Sequence, residues 1–191
     1  NSEIWTSPRW SYILSKSDQT GGWGFSGGYV IRSGADGGAP FGYGGVLETS
    51  AGEHHFSSSG TITANWEQVI VVYNGSDVKL YRDGSLSGTK TGVSGTLSDY
   101  VGNMYFGSAN NGSTHFYDGL LDDIAIWDEA ITSAEIWALY NSGVPLAASS
   151  NSGNYTSSAN LKGYWRFNEN TGSTAYDLSG NGNHGTISGA S

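Results

Sequence analysis

The stretch Trp66-Glu67-Gln68-Val69-Ile70-Val71-Val72-Tyr73, followed by Asn74-Gly75 and then Val78-Lys79-Leu80-Tyr81 up to Asp83-Gly84, constrains this chain most. Two runs rich in β-branched and aromatic residues around an Asn-Gly step predict a hairpin, because both turn residues tolerate positive φ. Further strand candidates are Tyr12 to Ser15, Gly28 to Arg32, Val46 to Glu48, Gly60 to Ala64, Met104 to Gly107 and Leu121 to Trp127, each closed by Gly, Asn or Asp. Short strands at such spacing predict a β-sandwich.

Composition agrees. Thirty glycines, 13% aromatic and 13% charged residues in 191 suit one all-β domain of many strands and tight turns. Eight basic against seventeen acidic residues, a formal charge of −9, repel a phosphate backbone and an anionic membrane surface, so nucleic acid and membrane insertion are not expected partners. The chain has no cysteine, so core size or bound metal has to replace disulfides. Low charge with abundant Ser, Thr, Asn and Gly predicts an extracellular, cell-surface or virion-surface location. The start at Asn1 leads us to expect a processed product or a segment of something longer.

One helix is predicted, over about 132–142: Thr132-Ser133-Ala134-Glu135 is a capping box, Ile131 and Ile136 are placed as a hydrophobic staple, and Gly143 is the stop. Residues 144–160, with Ser149-Ser150-Asn151-Ser152-Gly153-Asn154, are expected to be a flexible linker. It divides a main sandwich, 1–143, from a terminal segment, 161–191, where Leu161-Lys162-Gly163-Tyr164-Trp165-Arg166-Phe167 alternates like a half-buried strand. Trp5, Trp66, Phe106, Trp127 and Trp165 are expected in the core.

Two segments, Asp118 to Trp127 running into Ala130 to Ile136, and Gly163 to Glu169 running into Asp177-Leu178-Ser179-Gly180-Asn181-Gly182-Asn183-His184-Gly185, resemble the bacterial laminin-G-like, concanavalin A-like lectin-glucanase jelly-roll family. Ile13 to Lys16 and Trp66 to Gly84 fall in the order of that family, so the resemblance spans nearly the whole chain. It implies a jelly-roll β-sandwich of two antiparallel sheets. The order departs from the family pattern, in which the Tyr-Trp-x-Phe strand and the Asp-x-Ser-Gly-Asn-Gly loop open the domain. Three arrangements follow: the terminal segment completes its own sandwich, donates its strand through Tyr164, Trp165 and Phe167 to another copy, or begins a further repeat. Other copies of the chain or tandem repeats are therefore expected partners.

Calcium takes oxygen ligands from carboxylates, amides and carbonyls. The Asp177, Ser179, Asn181, Asn183 loop suits it, and the resemblance implies that this loop meets Asp122 and Asp123. The same residues also suit Asx-turns, with the aspartate pair at a strand end facing solvent. For glycans, Trp10, Trp23, Tyr29 and Tyr43, with Phe41, offer aromatic faces in Gly-rich surroundings. His54-His55 lack a third ligand at metal spacing. The alternating acids of related β-glucanases, a Gly-x-Ser-x-Gly elbow and a phosphate loop are all missing. The chain reads as a non-catalytic adhesion or assembly module, a filament or surface-layer subunit stiffened by calcium. A calcium-dependent lectin is the alternative, and a glycoside hydrolase comes third.

Overall fold

The computed structural model describes residues 10–18, 26–34 and 42–189. They form twelve strands in antiparallel sheets with one short α-helix, consistent with the all-β jelly-roll class. The chain divides into two compact units, residues 1–82 with 86–119 and residues 83–85 with 120–191.

In the first unit, β1 (Ser11–Asp18), β2 (Ser26–Gly34), β3 (Gly42–Thr49), β4 (Gly52–Ser57) and β8 (Tyr105–Phe106) make a sheet ordered β4-β3-β2-β1-β8. β5 (Val69–Tyr73), β6 (Asp77–Arg82) and β7 (Ser85–Thr91) make the second sheet. The predicted hairpin is present: Tyr73 pairs with Val78 and Val71 with Leu80. Asn74 organises its turn, its Oδ1 accepting from the amides of Ser76 and Asp77. Alternation on the strands divides the core. Leu47, Tyr43 and Phe56 meet Val78, Leu80 and Val93, whereas Val46 turns to the opposite face with Tyr12, Val30 and Ala109.

In the second unit, β9 (Ile124–Trp127) leads to α1 (Ser133–Tyr140), and the chain returns to lay β10 (Leu161–Trp165) antiparallel on β9, Tyr164 opposite Ala125 and Trp165 opposite Ile124. The terminal strand thus pairs within its own chain. Gly163 makes this register feasible, since a Cβ there would stand 2.1 Å from the Trp165 ring. β11 (Thr174–Ala175) and β12 (Gly185–Thr186) close a hairpin around the Asp177 loop. The helix starts as predicted, with both capping-box bonds made and Ile131 and Ile136 buried. It ends earlier than predicted, at a left-handed Asn141.

Three expectations are corrected. Residues 144–160 are built into the second unit: Tyr155 is 0% exposed and Ala148 is buried. The expected strand over 60–64 is irregular, and Trp66 beside it is 66% exposed and so outside the core. The division between the two compact units falls near residue 120. Of the other expected core aromatics, Trp165 is buried, Phe106 and Trp127 are half-buried, and Trp5 lies outside the described residues.

Candidate functional site: an acidic loop closed on the terminal strand

Asp177 is 6% exposed, and three backbone amides serve its carboxylate: Tyr164 (3.0 Å) and Ser179 (2.8 Å) donate to Oδ1, and Asn183 (2.9 Å) to Oδ2. Gly180 and Gly182 hold left-handed φ of 88° and 75°, which lets this short loop curl so that its amides face inward. Burial alone would raise the Asp177 pKa. Donation from Ser179, Asn183 and Tyr164 outweighs it and leaves the carboxyl below its ordinary range.

The neighbouring side chains complete a clamp on β10. The Asn181 and Asn183 amides donate from Nδ2 to the carbonyls of Leu161 (2.8 Å) and Lys162 (2.7 Å), and the Trp165 indole donates to the Asn183 carbonyl (3.0 Å). Ser179 Oγ accepts from Asn181 Nδ2 at 3.0 Å. The Asp177 amide donates to His184 Nδ1 at 3.0 Å.

Asp123 stands at the other end of Tyr164. Its Oδ1 accepts from the phenol (2.5 Å) and from Arg166 Nε (3.1 Å). Burial first, and then Asp123, push the Tyr164 phenol well above its ordinary value. Asp122 Oδ1 accepts from the Asp123 amide (2.8 Å). Arg166 also feels both aspartates electrostatically, after the stronger effect of Tyr164.

Part of the expected calcium donor set is already engaged by hydrogen-bond donors: Asp177 accepts from three amides, and Asp123 Oδ1 from a phenol and a guanidinium. Tyr164 binds Asp177 through its amide and Asp123 through its phenol, so the length of a tyrosine side chain lies between two of the three carboxylates, with Asp122, that the expected site would pool. Among the described residues, no three His, Asp or Glu side chains are grouped so as to hold a metal ion. The Asx-turn reading of this loop describes what is present, the Ser179 amide bonding to the Asp177 side chain two residues back.

Two further carboxylates lie outside the expected site residues. Glu135 is 6% exposed; its Oε2 accepts from the Thr132 amide and hydroxyl (2.9 Å each), and its Oε1 from the Thr156 amide (3.2 Å), Thr156 hydroxyl (3.0 Å) and Ser157 hydroxyl (2.6 Å). Burial would raise its pKa, but the Ser157, Thr132 and Thr156 donors bring it down to about 2. Beside it, Tyr155 accepts from the Trp127 indole (2.9 Å) and donates to the Ala148 carbonyl (2.7 Å). In the first unit, Glu67 accepts from Arg82 Nη2 (2.8 Å) and the Thr63 hydroxyl (2.9 Å). Its pKa is also lowered, because bonds from Tyr43, Thr63 and Arg82 overcome burial.

The aromatic residues expected to meet sugar are largely committed elsewhere. Tyr43 is buried in the core and Tyr29 packs against it, its phenol raised to about 12 by burial. Trp10 lies under the Arg32 guanidinium, 3.8 Å from the ring centre, and Trp23 lies outside the described residues. Of the strand-donation residues, Tyr164 and Trp165 are buried in their own chain, and Phe167 has left the strand with φ 52°. His54 contacts the Thr49 hydroxyl, and His55 lies 3.7 Å from Glu53 at the surface.

The family model of the concanavalin A-like lectin/glucanases superfamily, laminin-G type, matches residues 4–137. A solved structure of part of an S-layer domain-containing protein from Clostridium thermocellum is similar at 21% identity and a TM-score of 0.36, covering 68% of this chain. The match covers 63% of that structure's own length. No curated protein matches.

Proposed function

We propose, since this chain belongs to the concanavalin A-like lectin/glucanases superfamily, that it is a non-catalytic adhesion or assembly module working outside the cell, joined to other copies of itself through β-strand donation. The observation that carries the reading is the seating of β10. The 120–140 stretch acquires its strand partner and its buried aromatics, Tyr155, Tyr164 and Trp165, only from residues after the helix. A groove completed by a separate stretch of chain can be completed by the same stretch of another copy.

Carboxylate chemistry supports the non-catalytic half. A glycosidase needs one acid with a raised pKa facing a second carboxylate. Among the described residues, the carboxyls that are displaced, Glu67, Glu135 and Asp177, are all displaced downward and are held by internal donors. Surface placement agrees with the low share of charged residues and the abundance of small polar ones, and no helix among the described residues is long and apolar enough to cross a membrane.

Sedimentation velocity over a wide concentration range tests the assembly reading. Reversible self-association is expected, and a single monomeric species at every concentration refutes it. One observation favours a second reading, glycan binding: Trp66 and Phe116 expose 66% and 64% of their surface and offer stacking faces. A glycan array scored for wild type and Trp66→Ala tests it, with Trp66-dependent binding expected on that reading.

A further inference from the structure

The last turn of α1 runs into three consecutive residues with left-handed backbone, Asn141 (φ 44°), Ser142 (φ 56°) and Gly143 (φ 87°). Only the third is a glycine. Left-handed backbone costs an ordinary residue energy, and a run of such residues persists only where the surroundings enforce it. All three are exposed. The turn is held by Val144 N–H to the Asn141 carbonyl (3.2 Å) and Asn141 Nδ2 to the Val144 carbonyl (2.9 Å), with Asn141 N–H to the Trp137 carbonyl and Leu146 N–H to the Leu139 carbonyl (3.0 Å) tying its two ends to the helix.

The contacts that close the second unit join residues before this turn to residues after it. β9 pairs with β10, Glu135 holds Thr156 and Ser157, the Trp127 indole bonds Tyr155, Asp123 bonds Tyr164 and Arg166, and Asp128 pairs with Lys162 at 2.7 Å. None of these bonds uses the turn residues. Each can therefore be remade between two chains with unchanged geometry, leaving the turn as the place where the closed and exchanged forms differ.

We propose that Asn141–Gly143 is a hinge through which residues 144–189 exchange between two copies of the chain, each copy's 120–140 stretch being completed by the other's return segment. This rests on the assembly reading above and names its moving part. A short strained connection favours exchange, because opening it releases strain while the closing contacts are conserved. Association entropy opposes it, so the balance depends on concentration.

Two single substitutions at exposed Ser142 push in opposite directions. Ser142→Gly removes the cost of positive φ and stabilises the closed monomer. Ser142→Val adds the β-branched side chain least tolerant of that φ and stabilises the exchanged pair. Light scattering on size-exclusion peaks of the full chain is expected to rank the dimer fraction Val above wild type above Gly. The dimer dissociation constant should shift on the order of tenfold for each hinge opened, about a hundredfold per pair. Near-ultraviolet circular dichroism verifies that all three variants stay folded.

The chain has no cysteine, so Asp128→Cys with Lys162→Cys adds a unique pair across the β9–β10 contact, joined by a short bis-maleimide. Dimers crosslinked between chains are expected. If dimers form but every crosslink stays within one chain, strand donation is wrong. If crosslinks join chains but the dimer fraction ignores residue 142, the hinge is wrong and the assembly reading stands. A chain that remains monomeric in all three variants overturns both.

Discussion

Glu135 offers the sharpest quantitative test of how the second unit is held together. Its carboxylate takes five donor bonds from Thr132, Thr156 and Ser157, and these lower its pKa from 4.5 to about 2 against the opposing effect of burial. At 1.36 kcal/mol per tenfold change in proton affinity, that displacement corresponds to about 3 kcal/mol of folding stability. The folded pKa is the lower one, so this contribution is complete above about pH 4.5 and fades as the pH falls toward 2. Glu135→Gln keeps the shape but places an NH2 group among donors that need an acceptor. It should cost about 3 kcal/mol at pH 7, or roughly 6–12 °C in Tm for a chain of this size. Thermal melts of wild type and variant across pH 7 to 2.5 provide the assay, and the gap should narrow as the wild-type carboxylate becomes protonated. Equal melting at pH 7, or a gap that does not narrow on acidification, refutes the assignment.

Asp177→Asn should destabilise the loop by about 2–3 kcal/mol, because one of its amide donors then faces an NH2 group; urea unfolding measures it, and an unchanged midpoint contradicts the three-amide geometry. Adding a chelator, or millimolar calcium after it, should leave the melting temperature unmoved, since an ion bound only by the folded state would raise it by mass action. A calcium-dependent rise would overturn the donor-set argument.

Local chemistry was legible in the sequence wherever partners lie close along the chain. The Asn74 turn, the Thr132–Glu135 capping box and the Leu161–Trp165 strand each declare themselves within a few residues, although Tyr164 and Trp165 are both buried where alternation would expose one of them. The second oxygen of Glu135 does not, because Thr156 and Ser157 lie 21 and 22 residues further on. Its capping role was visible and its clasp was not. Asp177 was misleading for another reason: its partners are backbone amides, which every residue carries, so a loop rich in Asp, Asn and Gly looks the same whether it will hold an ion or its own main chain. The 144–160 stretch was misjudged by averaging, since Tyr155 alone among small polar residues supplies an anchor that composition dilutes. Trp66 was assigned to the core as part of a strand run, yet β5 begins only at Val69, so the alternation never reaches it.

The pairing of β9 with β10 also sets an order of events during synthesis. Trp127 is polymerised well before Leu161, and at roughly 5–20 residues per second about 2–7 s separate them on the ribosome. Through that interval the earlier strand has an open edge and an unfilled apolar face. Nascent chains crowded on one message would meet in that condition, so the speed of elongation through the serine- and asparagine-rich stretch bears on which chain's strand arrives first.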